Sequence, residues 1–460
     1  VDKQVQLERI IWKLKMAARK DSGFKEFGAN RHGYRMNEPI AAEEIAEFEA
    51  SIKAALPAEF AQFLQTVGNG GAGPYYGISP LHLSGSFGDP GGECVLEPGM
   101  DPERWKEITA FLDDPSLDEA GKKRHERALY GGLLAIGEMG WTFEMMLVLQ
   151  GPCRGRIVYV DRNHQIPFFT YEVNFLEWYE RWLDEIIGGY DTDWFALERA
   201  GDEVVLVDLY LSSLEERVKV SAIQGMHKLA KLKPDAVSFL LEQGLDESAA
   251  VRLAALEILA QKNYAEAVPL LIRALGSPLA EERLNAARQI DAYGEDGGGE
   301  LAIVLASRLP EEDDHRVLCQ IVRILEQGPV NPLNLLVPFF RFADRDMRRE
   351  AVFHAGRLPG REAYVSDFGR ALDDEDALVR KAALGALEGL LLGELLPKYE
   401  ALLYDTHADS EFRRAVLSRL GEYGPRARDV LARLGQGGDP DVRADARHLL
   451  GRIEMEVNKS

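Results

Sequence analysis

From Val218 to the C-terminus, one apolar pattern recurs every 30–33 residues. A start position is followed by a basic residue, then a small residue at +4, then an apolar residue at +8. The starts are Val218, Val251, Glu282, His315, Met347, Val379, Phe412 and Val442. The +4 residues are Ala222, Ala255, Ala286, Cys319, Ala351, Ala383, Val416 and Ala446. At +8, only Arg323 is not apolar. Positions i, i+4 and i+8 share one helix face. A small residue at a fixed point of that face lets a neighbouring helix approach closely. Self-similarity at this period predicts stacked helical pairs, about eight over 205–455. The unit at His315 fits less well. Its apolar positions read better two residues on, at Val317, Ile321 and Leu325, so an irregular turn is expected there.

The first 200 residues follow other periods. Residues 1–20 predict a helix with Ile10, Ile11, Leu14 and Ala17 on one face. A second helix over 41–54 turns Ile45, Phe48 and Ile52 inward. Leu56 and Pro57 precede a third, with Phe60, Phe63, Leu64 and Val67 as its stripe, and Pro57 suits its first turn. Gly68, Asn69, Gly70 and Gly71 stop that helix, because left-handed backbone is easiest for Gly and Asn. The period then shifts toward two. Segments within 133–172 read as antiparallel strands with turns at 140–142, 151–155 and 163–165. Phe143, Met145, Leu147 and Leu149 share one strand face. A helix over 174–189 sets Phe175, Trp178, Tyr179, Trp182 and Ile186 on one side. A boundary is expected at 188–204, giving domains of 1–195 and 205–455.

Two resemblances follow from these motifs. Ile45 with Phe48-Glu49, Leu56-Pro57-Ala58-Glu59-Phe60, Phe63-Leu64, Asn69-Gly70-Gly71 and Tyr75-Tyr76-Gly77 resemble the SUKH superfamily. So do Leu134-Ala135-Ile136-Gly137 and Phe175-Leu176 with Trp178. That group contains the yeast Smi/Knr cell-wall-assembly regulator and many bacterial immunity proteins. The likeness covers about residues 1–190 and implies an α+β fold, a sheet flanked by helices, that binds proteins. A long insertion, 88–129, departs from the pattern. Residues 205–455, with DxxxxVRxxAxxxL, resemble HEAT and HEAT-like repeats, including those of the phycobilin lyase family. This implies an all-α solenoid and says little about function.

Charge changes the picture only slightly. The chain has 460 residues and a formal net charge of −22. Residues 1–200 carry 21 basic and 32 acidic side chains, and the rest carry 33 and 44, so each part is −11. Neither part has a nucleic-acid footprint, and a basic protein partner is compatible with both. Cys94, Cys153 and Cys319 form no CxxC pair, which fits a reducing cytoplasm. No apolar run reaches the ~20 residues of a membrane span. The chain begins without Met, so a short leader is an open expectation.

Chemistry is hard to find. The nine His are scattered, and no HExxH, Walker or GxSxG pattern occurs. Asp113-Asp114 and Asp373-Asp374 with Asp376 read as turn and cap residues. The expectation is therefore no catalytic residue, no cofactor and no metal. Leu56, Pro57, Asn69, Gly70, Gly71, Arg252, Arg380 and Arg443 are structural signature positions. The basic ladder is expected to pair with neighbouring units and with caps, placed five residues before the starts at Asp246, Ser277 and Asp374. Three functions are compatible: an immunity-type protein that blocks a toxin, a scaffolding or regulatory adaptor, and, remotely, a HEAT-like lyase.

Overall fold

Residues 2–404 and 410–457 are described by a computed structural model. His407 lies outside them. By internal contacts the chain divides into two units, Val1–Ile258 and Leu259–Ser460. The division falls inside the helix Ala249–Lys262, whereas the change from mixed elements to helices alone comes earlier. Among the described residues the last strand ends at Phe169, and every later element is helical.

The first unit is built on an aromatic helix, Phe175–Gly188. Asn174 caps it by accepting the Glu177 N–H, and Gly189, at φ 71°, ends it in left-handed backbone. Helix Ala58–Thr66 sets Phe60 and Phe63 against the Phe175 ring, at centroid separations of 4.8 and 4.9 Å. Helix Lys3–Lys20 buries Leu7, Ile10, Leu14 and Ala17 on the same core. It is clamped from outside by Glu180, which accepts from Arg9, from Lys13 at 2.8 Å and from Gln6 at 3.0 Å.

Four antiparallel strands form one sheet in the order β1-β2-β3-β4: β1 Leu133–Gly140, β2 Phe143–Val148, β3 Ile157–Asp161 and β4 Phe168–Phe169. Strand β2 is buried on both faces. Met145 and Leu147 join the helical core, whereas Met146 and Val148 join a second core. That second core is supplied by the long insertion. Helices Pro102–Thr109 and Glu119–Leu129 lay Trp105, Leu129 and the adjoining Phe111 and Tyr130 over the far face of the sheet. Trp105 Nε1 donates to the His164 carbonyl at 2.8 Å and pins that layer. The alternation in β2 revealed one face only, because the apolar residues covering the other are spread through a polar segment.

Segment 188–204 is likewise tied down. Phe195 and Ala196 are buried in the core, and the Phe195 carbonyl accepts from Tyr75 and Tyr159, each at 3.1 Å. Arg181 is buried among Glu172, Glu185 and the Glu198 carbonyl. Lys228, after the first repeat helix, reaches Glu185 at 3.6 Å and donates to the Arg199 carbonyl.

Eight helical pairs follow among the described residues. Their second helices are Glu216–Gln224, Ala249–Lys262, Ala280–Tyr293, His315–Glu326, Arg345–Ala355, Ala377–Ala386, Ser410–Glu422 and Pro440–Val457. In the second unit, each second helix from Ala280–Tyr293 onward packs on the next. The +4 side chains are fully buried except Cys319, which is half-buried. Val317, Ile321 and Leu325 are buried instead, so the register of helix His315–Glu326 is shifted by two residues. Its cap agrees. Asp314 stands three residues before Val317, as Asp344, Asp376 and Asp439 stand three before Met347, Val379 and Val442.

The caps therefore lie three residues before the starts, not five. The residues at −5 do another job. Asp246, Ser277 and Asp374 accept the N–H two residues on and fold the chain into the turn ahead of the helix.

Candidate protein-binding surface

The signature residues of the sequence are internal struts. Leu56 is buried; its N–H donates to Glu49 at 2.7 Å and its carbonyl accepts from Arg154 at 2.8 Å. Pro57 is the N-cap of helix Ala58–Thr66, one position before the first turn. Asn69 Oδ1 accepts the Leu81 N–H at 2.7 Å, and its carbonyl accepts from Asn37 at 2.9 Å. Gly70, at φ 76°, sits so close to the chain that an added Cβ would lie 2.6 Å from Pro80 N. Gly71 bridges Met36 and Ile78. This loop stitches three segments together and turns its polar groups inward.

The arginine ladder is equally occupied. Arg252 Nη1 donates to the carbonyls of Asp246 and Glu247 at 2.7 and 2.8 Å. Arg380 does the same to Asp374 and Glu375 at 2.8 and 3.0 Å, and Arg443 to Gly437 at 3.2 Å. Arg283 and Arg348 add a fork onto an acid of the following unit, Glu312 and Asp374. Arg316, in the shifted helix, is off this ladder and pairs with Asp314 and Glu281.

A different set of residues converges at the tip of the β1–β2 hairpin. Gly140 pairs with Phe143, so the turn consists of Trp141 and Thr142. Two-residue hairpins want left-handed backbone, which Asn, Asp or Gly supplies at low cost. Here Trp141 adopts it, at φ 60°, and is 98% exposed. A bulky residue held in such backbone costs on the order of 1 kcal/mol, and outliers of this kind cluster at functional sites. Beside it lies a pocket of about 270 Å³ walled by Phe27, Met139, Phe143 and Trp194, with buried Tyr75 behind them. Trp194 is 66% exposed. The Phe27 ring lies tilted 5.2 Å from Tyr76, whose ring also carries the Arg31 guanidinium at 3.8 Å. Tyr76 leads into a second, more polar groove of about 570 Å³ that holds Glu138, Glu144 and Arg162.

The rim is acidic. Asp191 and Asp193 are exposed beside Trp194. Glu26, half-buried next to Phe27, accepts from the Thr192 hydroxyl. Burial raises its carboxyl above the usual range, and the charges of Asp21, Asp193 and Asp191 push the same way. His32, nearby, is held neutral: burial drops it to about 4, and its Nδ1 accepts the Tyr34 N–H. Its ring packs edge-on against Trp182. This surface offers aromatic area, shape and negative charge.

Of these residues the sequence offers Tyr75 and Tyr76 as interface aromatics, one in the core and one partly exposed, and Tyr75 is buried while Tyr76 is half-buried; Trp141 and Trp194 were passed over because the first sits in a turn and the second in an expected linker. A large aromatic where a turn residue belongs was the available signal.

No family model matches the chain, and no curated protein does either. Among solved structures, the YibA protein of Escherichia coli is 17% identical, covers 54% of this chain and 92% of its own, and has a TM-score of 0.37. The complex of CpcE and CpcF of phycocyanin lyase from Nostoc sp. PCC7120 is 17% identical, with coverages of 56% and 96% and a TM-score of 0.28. An archaeal HEAT-like repeats protein from Thermococcus onnurineus NA1 is 14% identical, with coverages of 56% and 99% and a TM-score of 0.22. TM-scores this low decide nothing about this chain. No helix among the described residues is long and apolar enough to cross a membrane.

Proposed function

We propose that this chain is a non-catalytic, cytoplasmic protein-binding protein of the immunity type. It neutralises a bacterial toxin by direct binding, and its N-terminal part is a SUKH-like domain. The observation that carries the reading is Trp141, held almost wholly exposed in left-handed backbone over an aromatic pocket. Interface hot spots are enriched in Trp and Tyr set in pockets that a partner can desolvate. Aromatic side chains supply large contact area at low entropy cost. The acidic rim of Asp191, Asp193 and Glu26 selects a basic partner, in keeping with a net charge of −22. The partner class is thus a basic toxin domain that inserts an apolar side chain between Trp141 and Trp194. The helical repeats act as a clamp or dock.

The test starts from the full chain immobilised and exposed to lysate of its native host. The captured protein is purified and titrated calorimetrically against wild type, Trp141→Ala and Trp194→Ala. The expected partner is basic and harms cells unless this chain is co-expressed. Trp141→Ala should weaken binding by about 30-fold or more, the hot-spot threshold of ~2 kcal/mol, with unchanged melting. Association should slow as salt rises, since screening shortens the field to about 8 Å at physiological ionic strength. Equal affinity for both variants and wild type would overturn the assignment.

A further inference from the structure

In the second unit, helix Arg345–Ala355 presents Glu350 and His354 one turn apart on a single face. The neighbouring helix His315–Glu326 presents Cys319 to them. Cys319 Sγ, a Glu350 carboxylate oxygen and a His354 ring nitrogen all lie within 4.8 Å of one another. All three residues are half-buried, so an ion can reach them from solvent. No other unit of the repeat combines an acid at +3 with a His at +7. The two-residue register shift is what brings Cys319 out of the helix contact and onto this face.

The surroundings have the arrangement of a metal's outer shell. Glu326 Oε1 lies 3.1 Å from His354 Nδ1. A carboxylate there keeps the proton on Nδ1 and leaves the Nε2 lone pair for a metal. Arg349 donates to Glu350 Oε1 at 2.9 and 2.6 Å, which steadies the carboxylate. A thiol, an imidazole and one carboxylate suit a borderline-soft cation such as Zn²⁺, and do not suit Ca²⁺ or Mg²⁺. Metal–ligand bonds of about 2.0–2.3 Å place ligand atoms about 3.5 Å apart around a tetrahedral ion. The side chains therefore close by about an ångström through their own torsions.

We infer that Cys319, Glu350 and His354 bind one zinc-class divalent cation, with Glu326 as the outer carboxylate that orients the imidazole and solvent completing the shell. The ion clips helix His315–Glu326 to helix Arg345–Ala355. Without metal the thiol is protonated: burial and then the Glu350 carboxylate raise it to about 12. Binding breaks the S–H bond, forms the S–metal bond and releases that proton to solvent.

Co²⁺ is the probe. The full chain, stripped with chelator, is titrated with Co²⁺ and followed by absorbance and equilibrium dialysis. One ion per chain is expected, with a thiolate-to-cobalt charge-transfer band, tetrahedral d–d bands and displacement by Zn²⁺. Cys319→Ser should abolish the charge-transfer band at wild-type helicity, whereas Cys94→Ser and Cys153→Ser should retain it. Glu326→Gln should weaken binding about 10–100-fold, as outer-shell losses do. In wild type, Zn²⁺ should also protect Cys319 from alkylation in a peptide map. A chain without the charge-transfer band, or a band that survives Cys319→Ser, overturns the proposal. So does Cys319 that alkylates equally fast with and without Zn²⁺.

Discussion

Replacing Arg181 with Met tests whether the buried ion network, and not apolar packing alone, anchors segment 188–204 to the first unit. Arg181 is 7% exposed. Its Nε donates to Glu185 at 2.8 Å, Nη1 to Glu172 at 2.7 Å and Nη2 to the Glu198 carbonyl at 2.7 Å. Methionine keeps most of the apolar stem and removes all three donors. Glu172 is then left without a counter-charge, and its Oε2 already has no hydrogen-bond partner. Glu185 keeps only Lys228, at 3.6 Å. Removing one partner of a buried pair costs about 3–5 kcal/mol, because the charge left behind stays desolvated. We expect that loss at pH 8. Urea unfolding followed by tryptophan emission is well suited, since all six Trp lie before residue 195 and report the first unit. With a urea slope of about 1–3 kcal/mol/M, the midpoint should move by more than about 1 M. Glu172→Gln in the Arg181→Met background should recover part of the loss. A change below about 1 kcal/mol would mean that the network is effectively solvated and the argument wrong.

Three further outcomes can be checked. Ala383 is fully buried where two second helices meet, so Ala383→Phe should overpack the contact and cost on the order of 1–3 kcal/mol by thermal circular dichroism; wild-type melting would place it away from a neighbour. Arg380→Ala leaves the Asp374 and Glu375 carbonyls without their donor and should cost about 1–3 kcal/mol in the same assay. Acid should destabilise the first unit in two windows. His32 sits at about 4 because of burial, so its contribution is complete above 6.5 and is lost as pH falls from 6.5 to about 4. At Glu180, burial opposes the charge, but Arg9, Lys13 and Gln6 outweigh it and hold the carboxyl at about 2; its contribution is complete above 4.5 and is lost as pH falls through about 2. His32→Gln should flatten the first window and Glu180→Gln the second, in tryptophan-monitored melts across pH.

What could be read from the chain follows from where the information sits. The repeat helices were legible because each must bury the same face against the same kind of neighbour, and eight copies average out local accidents. Ala222, Ala255, Ala286 and Ala383 all fell at full burial for that reason. The caps were misplaced by two residues because two acids flank each turn, and only backbone geometry tells which accepts from the helix and which from the turn. The His315 unit shows the limit. Its register was visible in Val317, Ile321 and Leu325, but the consequence for Cys319 was not.

The candidate surface stayed hidden for a deeper physical reason. Periodicity reports residues that face their own element's neighbours, and a binding surface is made of residues that face none. Tyr76, beside the Gly-rich turn, was legible as an interface aromatic, but Phe27 comes from a loop, Trp141 from a hairpin tip and Trp194 from a segment that looked like a linker. Trp194 joins the others where the Phe195 carbonyl is fastened to Tyr75 and Tyr159. That fastening carries the 188–204 segment back over the hairpin and sets Trp194 at the pocket wall. The same reasoning links Cys319 to Glu350 and His354, since a register shift in one helix decides what the next one meets. In both places the departures from pattern, a Trp in a turn and a Cys displaced from the helix contact, are what mark the surface as something other than scaffold.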